Sequence, residues 1–303
     1  MKLLKFASID VGSNAVRLLF TNVFITPEGP VFRKLSLLRV PIRLGEDAFI
    51  KGEISEEKAD QLVKTMMSFK HLMEVHQVLD YKAYATSAMR EASNQLDIIR
   101  RIKYYSGIDL EVVSGDIEAE TISTEFIPDP LPSMNHAVFV DVGGGSTELT
   151  YLKKGKKKAN LSVKIGTIRL LHNAVEDAEW DRLKNWLEEH DAYHSKAPLI
   201  GSGGNINKLL KVLRHKNTDY HVSVNSIKKF KSELENYSLD DRIVKYILNP
   251  DRADVIVPAS EIFIKTAQWI GATKIYIPKV GLSDGIARML YKKHKRKQRA
   301  VKD

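Results

Sequence analysis

Apolar residues fall into period-two stretches and period-3.6 stretches, and the order of the two repeats along the chain. Residues 5–11 and 15–23 alternate as two strands joined by a turn at Gly12. Residues 31–43 predict another strand pair, and Leu44-Gly45-Glu46-Asp47 breaks the pattern. Ser55 then sits as a helix cap, with Glu56 and Glu57 in the first turn. Ala59, Leu62, Val63, Met66, Met67 and Met73 follow i, i+3, i+4 spacing, with the methionines as core filler. Residues 82–85 predict a strand, 94–105 a helix stopping at Gly107, and 108–113 a strand. Ser114-Gly115 then opens a helix containing Glu118. Pro128, Pro130 and Pro132 interrupt regular structure and mark a boundary between domains 1–126 and 127–303.

The second half repeats the plan. Strands at 136–142, 146–152 and 159–165 form a meander, with a lysine-rich tip between the last two. Helices follow at 167–175 and 176–190, then a short strand at 199–200, and a helix from Asn205. Two polar helices span 226–248, a longer helix covers 253–270, and a strand at 274–278 precedes a final helix from Leu282. Strand meanders alternating with helices, twice over, predict an α/β duplication with a cleft between halves.

Charge changes this picture little. The net charge is +9, but the tail from Lys292 carries +6 and residues 153–158 carry +5, so the body is slightly acidic. That excludes a broad basic nucleic-acid-binding surface. The lysine segment reads as a solvated hairpin tip or as a guide for a polyanion. There is no cysteine, hence no disulfide, thiolate metal site or cysteine nucleophile, which suits the cytoplasm. No membrane span and no leader are expected. The nine histidines form no ligand set. His190 and His194 lack the glutamate of a zinc-protease helix and read as surface residues. His136 reads as structural, and Trp180, Trp186 and Trp269 as core.

The chemistry concentrates in three glycine loops. Val138-Phe139-Val140-Asp141 runs into Gly143-Gly144-Gly145-Ser146 and resumes as a strand at Glu148. By itself this is equally the signature of a plain hairpin. It is neither a dinucleotide fingerprint nor a P-loop, because the glycines are contiguous and a strand follows. However, Ile9-Asp10-Val11-Gly12-Ser13-Asn14 repeats the arrangement 131 residues earlier. Glycines let backbone N–H groups approach phosphoryl oxygens, and the carboxylate can hold a cation or water beside them. Gly201-Ser202-Gly203-Gly204 is the third loop, and it opens a helix whose N-terminus favours phosphate.

These motifs carry a resemblance. Asp10 to Asn14 with Arg17, and Thr86-Ser87-Ala88-Met89-Arg90-Glu91 with Asn94, are two of them. Ser114-Gly115 with Glu118, the run from Asp141 to Leu149, Gly201 to Gly204, and Arg252-Ala253-Asp254 through Pro258 complete the set. In that order they resemble the Ppx/GppA family of exopolyphosphatases and guanosine pentaphosphate phosphohydrolases. The resemblance implies two ribonuclease H-like domains of the actin and sugar-kinase kind, an active site between them, and a divalent ion such as magnesium. It also implies release of the terminal phosphoryl group of inorganic polyphosphate or of guanosine pentaphosphate by water. It implies a short form without the family's C-terminal helical domain, and a homodimer is common in the family.

Within that resemblance Glu118 is the candidate general base, and Asp141 and Glu148 are the candidate metal ligands. Asp10 shares the ion or holds the water, and Arg90 clamps phosphate oxygens. Ser13, Asn14, Thr86, Ser87, Gly144, Gly145, Ser146, Gly203, Gly204 and Asn205 are the candidate substrate contacts. Arg17 admits two roles, facing substrate or pairing with a structural carboxylate. Ile117, Asn205 and Ser283 depart from the family pattern, where an acid, a threonine and an arginine respectively are usual. Those departures also leave room for a non-catalytic polyphosphate or nucleotide sensor.

Overall fold

The computed structural model describes residues 2–123, 135–154, 156–213 and 220–300. Pro128, Pro130 and Pro132, and with them the expected boundary at 126/127, lie outside the described residues, as does Gly155 in the lysine turn. The chain divides into two compact units, Met1–Ser114 with Leu282–Asp303, and Gly115–Gly281.

The first unit is built on β1 (Lys2–Val11), β2 (Val16–Thr26), β3 (Gly29–Val40), β4 (Asp80–Ala85) and β5 (Leu110–Val112). The sheet order is β3-β2-β1-β4-β5. β2 lies antiparallel to β1 and β3, whereas β4 runs parallel to β1 and β5. β1 is central and buried on both faces, which is why its apolar residues run nearly without interruption. Ile9 and Val11 join the cluster holding Leu62, Met66 and Phe69 of helix Glu56–Val75. Phe6 instead meets the ring of His294 on helix Leu282–Ala300, edge-on at 6.2 Å. The basic tail thus continues as helix, and Lys293 pairs with Asp80 at 3.0 Å.

Four expectations fail here. Residues 31–43 are not a strand pair: β3 is one strand, hydrogen-bonded along β2 through a turn at Gly29, whose φ of 128° only glycine adopts readily. Residues 44–47 do not break structure but begin helix Leu44–Lys51, which follows Arg43 in the left-handed region. Ser55 stands at the cap position of the next helix, yet its hydroxyl donates to Asp47 Oδ2 at 2.6 Å and does not cap. Met67, expected in the core, is exposed.

Asp47 is buried, and burial alone would raise its pKa; hydrogen bonds from the Ser55 hydroxyl, the Ser55 N–H and Lys51 outweigh this and hold it at about 2. A folded pKa below the unfolded one stabilises the protein above the unfolded value, and the contribution disappears as pH falls through the folded value. Stability should therefore drop by about 1–2 kcal/mol between roughly pH 4 and pH 2 on account of this group. Asp47→Asn should remove that part of the acid transition, which denaturant midpoints across the range would measure.

The second unit repeats the plan with β6 (His136–Val142), β7 (Thr147–Lys153), β8 (Lys156–Val163), β9 (Leu199–Ser202), β10 (His221–Ser223) and β11 (Lys274–Tyr276). The order is β10-β11-β9-β6-β7-β8. β6, β7 and β8 form the antiparallel meander, and β9 and β11 extend it in parallel from β6. Position for position, β8-β7-β6-β9-β11 matches β3-β2-β1-β4-β5, and β10 is an added edge strand. Trp180, Trp186 and Trp269 pack in or against this unit's core as expected. The expected helix over 253–270 is two, Pro250–Ala253 and Ile256–Ile270. Pro258 explains the break, because its ring would collide with the carbonyl four residues back, at Asp254. No helix among the described residues is long and apolar enough to cross a membrane.

Candidate functional site

The two aspartate turns share a wiring pattern. Gly12 N–H donates to the Ala15 carbonyl at 3.2 Å, and Gly143 N–H donates to the Ser146 carbonyl at 3.0 Å. Each turn's outer carbonyls are then taken up by the start of the helix that follows the meander. In the first unit Arg43 N–H donates to Asn14 O at 3.2 Å and Gly45 N–H to Ser13 O at 2.8 Å. In the second, Thr167 N–H donates to Gly143 O at 3.0 Å and Ile168 N–H to Gly144 O at 2.8 Å. Buried Arg169 adds a third tie, from Nε to Gly145 O at 2.8 Å. The peptide N–H groups of Gly144 and Gly145 give no hydrogen bond to backbone among the described residues. A turn with bound carbonyls and available amides is a cradle for an anion.

Gly166 makes this contact possible. A Cβ there would overlap the Gly144 carbonyl and the Gly145 backbone. The need for glycine is steric, since the backbone runs directly against the turn. Neither Gly166 nor Arg169 is conspicuous in the sequence; the only signal is a glycine directly after a strand.

The two units differ at one register position, and that difference defines the chemistry. Asp10 faces Arg17 across β1 and β2, and Arg17 Nη1 donates to Asp10 Oδ2 at 2.9 Å. Arg17 is thus paired with a carboxylate, that of the candidate site residue Asp10. At the equivalent position across β6 and β7, Asp141 faces Glu148. An acid stands where the first unit has its own cation. Glu148 is only 2% exposed, and every residue of β7 but the last is buried. Ser146 Oγ and Ser162 Oγ donate to Glu148 Oε1 at 2.6 and 3.0 Å.

Glu118 completes the cluster. It is buried on helix Gly115–Ser123, and one oxygen each of Glu118, Asp141 and Glu148 lies within 4.8 Å of the others. The helix reaches this position because Gly115 lies against Ser162, where a Cβ would collide with the hydroxyl. Ser162, which sequence reasoning passed over, thus orients Glu148 and seats the helix of Glu118. Three carboxylates so close oppose one another's ionisation, and burial sharpens the conflict. A hard divalent cation resolves it, and an all-oxygen donor set suits magnesium, manganese or calcium rather than a thiolate metal.

The third glycine loop flanks this cluster. Asp141 is in register with Ser202 on β9, and Gly203 follows with φ 110°. A Cβ on Gly203 would stand 2.8 Å from Val142 O and 3.5 Å from Asp141 Oδ1. Helix Gly204–Leu213 starts here, with Asn205 buried in its first turn. The structure thus gathers Glu118, Asp141, Glu148, the Gly143–Ser146 turn and the Gly203 loop within the second unit.

The remaining candidates belong to the first unit. Ser13 is buried beside Asn14 in the first turn, and Thr86 N–H donates to Val11 O at 3.1 Å, placing Thr86 and Ser87 next to it. Arg90 Nη1 donates to Val113 O at 2.6 Å, which occupies part of its guanidinium with backbone. Ile117 is half-exposed, and its neighbour Asp116 accepts from Asn160 Nδ2 at 2.6 Å.

Known proteins resemble this chain in sequence and in fold. The chain is 26% identical over 301 residues to a bifunctional 3-dehydroquinate synthase/phosphatase of Fusobacterium nucleatum, covering 89% of this chain and 44% of that one. It is 28% identical over 190 residues to exopolyphosphatase 1 of Mycobacterium leprae, covering 61% of this chain and 55% of that one. The chain therefore spans about half the length of these curated relatives. A solved exopolyphosphatase from Cytophaga hutchinsonii superposes with a TM-score of 0.77 at 24% identity, over 94% of this chain and 97% of the other. An Aquifex aeolicus Ppx/GppA family member does so with a TM-score of 0.71 at 23% identity, over 96% and 99%. These likenesses show the fold, a two-domain α/β architecture of the actin and sugar-kinase kind. Residues 25–294 match the Ppx/GppA phosphatase family, and the chain belongs to that family.

Proposed function

We propose that the protein is a phosphoanhydride hydrolase that removes the terminal phosphoryl group of inorganic polyphosphate with the help of a divalent cation, magnesium in the simplest case. The observation that carries the reading is the convergence of buried Glu118 and Glu148 with half-buried Asp141 beside a turn with available amides. The phosphatase family and relatives named as exopolyphosphatases support it.

Asp141 and Glu148 would hold the cation, which when bound would supply positive charge to offset the phosphoryl oxygens. The amides of Gly144 and Gly145 position the terminal phosphate, while the Ser146 hydroxyl, a candidate substrate contact, donates to Glu148. Glu118 accepts a proton from the attacking water as the new P–O bond forms. The bridging P–O bond breaks, and the shortened chain leaves with the electron pair. Ser13, Asn14, Thr86, Ser87, Arg90 and Asp10 are assigned to substrate and water on the first unit, and Arg17 to holding Asp10. The cysteine-free composition fits a reducing compartment such as the cytoplasm.

Phosphate release should be measured on long polyphosphate, tripolyphosphate, guanosine pentaphosphate and ATP under one set of conditions. Highest kcat/KM on long polyphosphate is the expected result. Preference for guanosine pentaphosphate would replace the substrate, and no release from any of them would overturn the hydrolase.

A further inference from the structure

The lysine turn is the motif that the acidic cluster leaves unused. β7 carries Glu148 near its start and Lys153 at its end, about 17 Å further along the strand. At that far end lies a cavity of about 620 Å³ lined by Lys153, Lys154, Lys156 and Lys158. All four lysines are exposed. Glu189 and Asp191 share the lining, so lysines outnumber carboxylates two to one. None of the four lysines forms an ion pair or a side-chain hydrogen bond with a described residue.

Folding alone does not favour this arrangement. Lys153 and Lys156 stand directly opposite one another across β7 and β8, and like charges in that position destabilise a sheet. Lys154 adopts φ 52°, a left-handed conformation that a side chain disfavours. Four exposed ammonium groups around one concavity match a ligand with several negative charges spaced along it. The cavity offers no platform for bases. Tyr151 is buried, and the His190 ring is turned onto Trp186 at 4.8 Å with Nδ1 bonded to the Trp186 carbonyl. Single-stranded nucleic acids rely on such exposed rings, so a bare phosphate chain fits better.

We infer that this cavity is a second anion site, binding inorganic polyphosphate at the end of β7 remote from the acidic cluster. The identity of the ligand rests on the proposed function; the cavity's charge does not. A chain must be long to occupy both places, so the site favours long substrates over tripolyphosphate.

The test is direct binding to a hydrolysis-silenced Glu118→Gln protein, which keeps the result separate from any failure of the hydrolase reading. Long polyphosphate, tripolyphosphate and poly(U) RNA serve as probes at low salt. Replacing Lys153, Lys154, Lys156 and Lys158 together by Gln should weaken long-polyphosphate binding at least about tenfold. Replacing all four by Arg should retain it, and tripolyphosphate binding should be unchanged in both. Unaltered long-chain affinity in the Gln set, an equal loss in the Arg set, or RNA binding as tight as polyphosphate would each overturn the site.

Discussion

Glu118→Gln is expected to lower kcat for phosphate release by about 10²–10⁴-fold, the usual contribution of a positioned general base. The amide keeps the side chain's shape and can still touch water, but it cannot take the proton. Loss of the base should leave KM within a few-fold, because the proposed function assigns the phosphate to the Gly143–Ser146 turn and the cation to Asp141 and Glu148. The substitution also removes one of three carboxylates lying within 4.8 Å, two of them buried, which relieves repulsion. The variant should therefore be at least as stable as the parent. An inactive but unstable variant would assign Glu118 to structure, and an active one would move the base elsewhere. Steady-state kinetics beside a thermal melt separates these results.

Gly166→Ala is the second large effect. The new methyl group would occupy space filled by the Gly144 carbonyl and the Gly145 backbone, and backbone cannot swing aside as a flexible side chain can. Either the turn or the start of helix Thr167–Leu171 must move, breaking the bonds from Thr167, Ile168 and Arg169. Overpacking of this kind costs about 1–3 kcal/mol. On the proposed function the turn also positions phosphate, and a displacement near 1 Å can cost about 10²-fold in rate. Gly52→Ala provides the control. Gly52 instead needs a left-handed backbone, at φ 75°, and a Cβ there meets nothing within 4 Å. It should lose about 1 kcal/mol of stability with full activity. Equal kinetic effects of the two substitutions would contradict the role given to Gly166.

The duplicated aspartate turns were legible in the sequence because strand, acid and glycine are local features with a local physical cause. The long strands and amphipathic helices were legible for the same reason. What was hidden depended on distant backbone. Residues 44–47 look like a break because Gly45 is a poor helix former, yet its N–H bonds to Ser13 O and starts the helix. Glu148 looks like an outward strand residue, and only the covering of β7 on both faces makes it a buried acid. Ser162 and Gly166 act through contact with segments far away in the chain, which no spacing rule reveals. The pairing of Asp10 with Arg17 and of Asp141 with Glu148 was present in the sequence as two motifs. Register then showed that one unit supplies its own cation while the other assembles an acidic site.

That contrast is the centre of the account: on the proposed reading, three clustered acids, two of them buried, would work on phosphate only with a divalent cation between them. The direct measurement is the initial rate of phosphate release from long polyphosphate by the unaltered protein, before and after chelation of divalent ions and after magnesium is restored. The account predicts that release stops on chelation and returns with magnesium. Release that continues undiminished in the presence of chelator would contradict it.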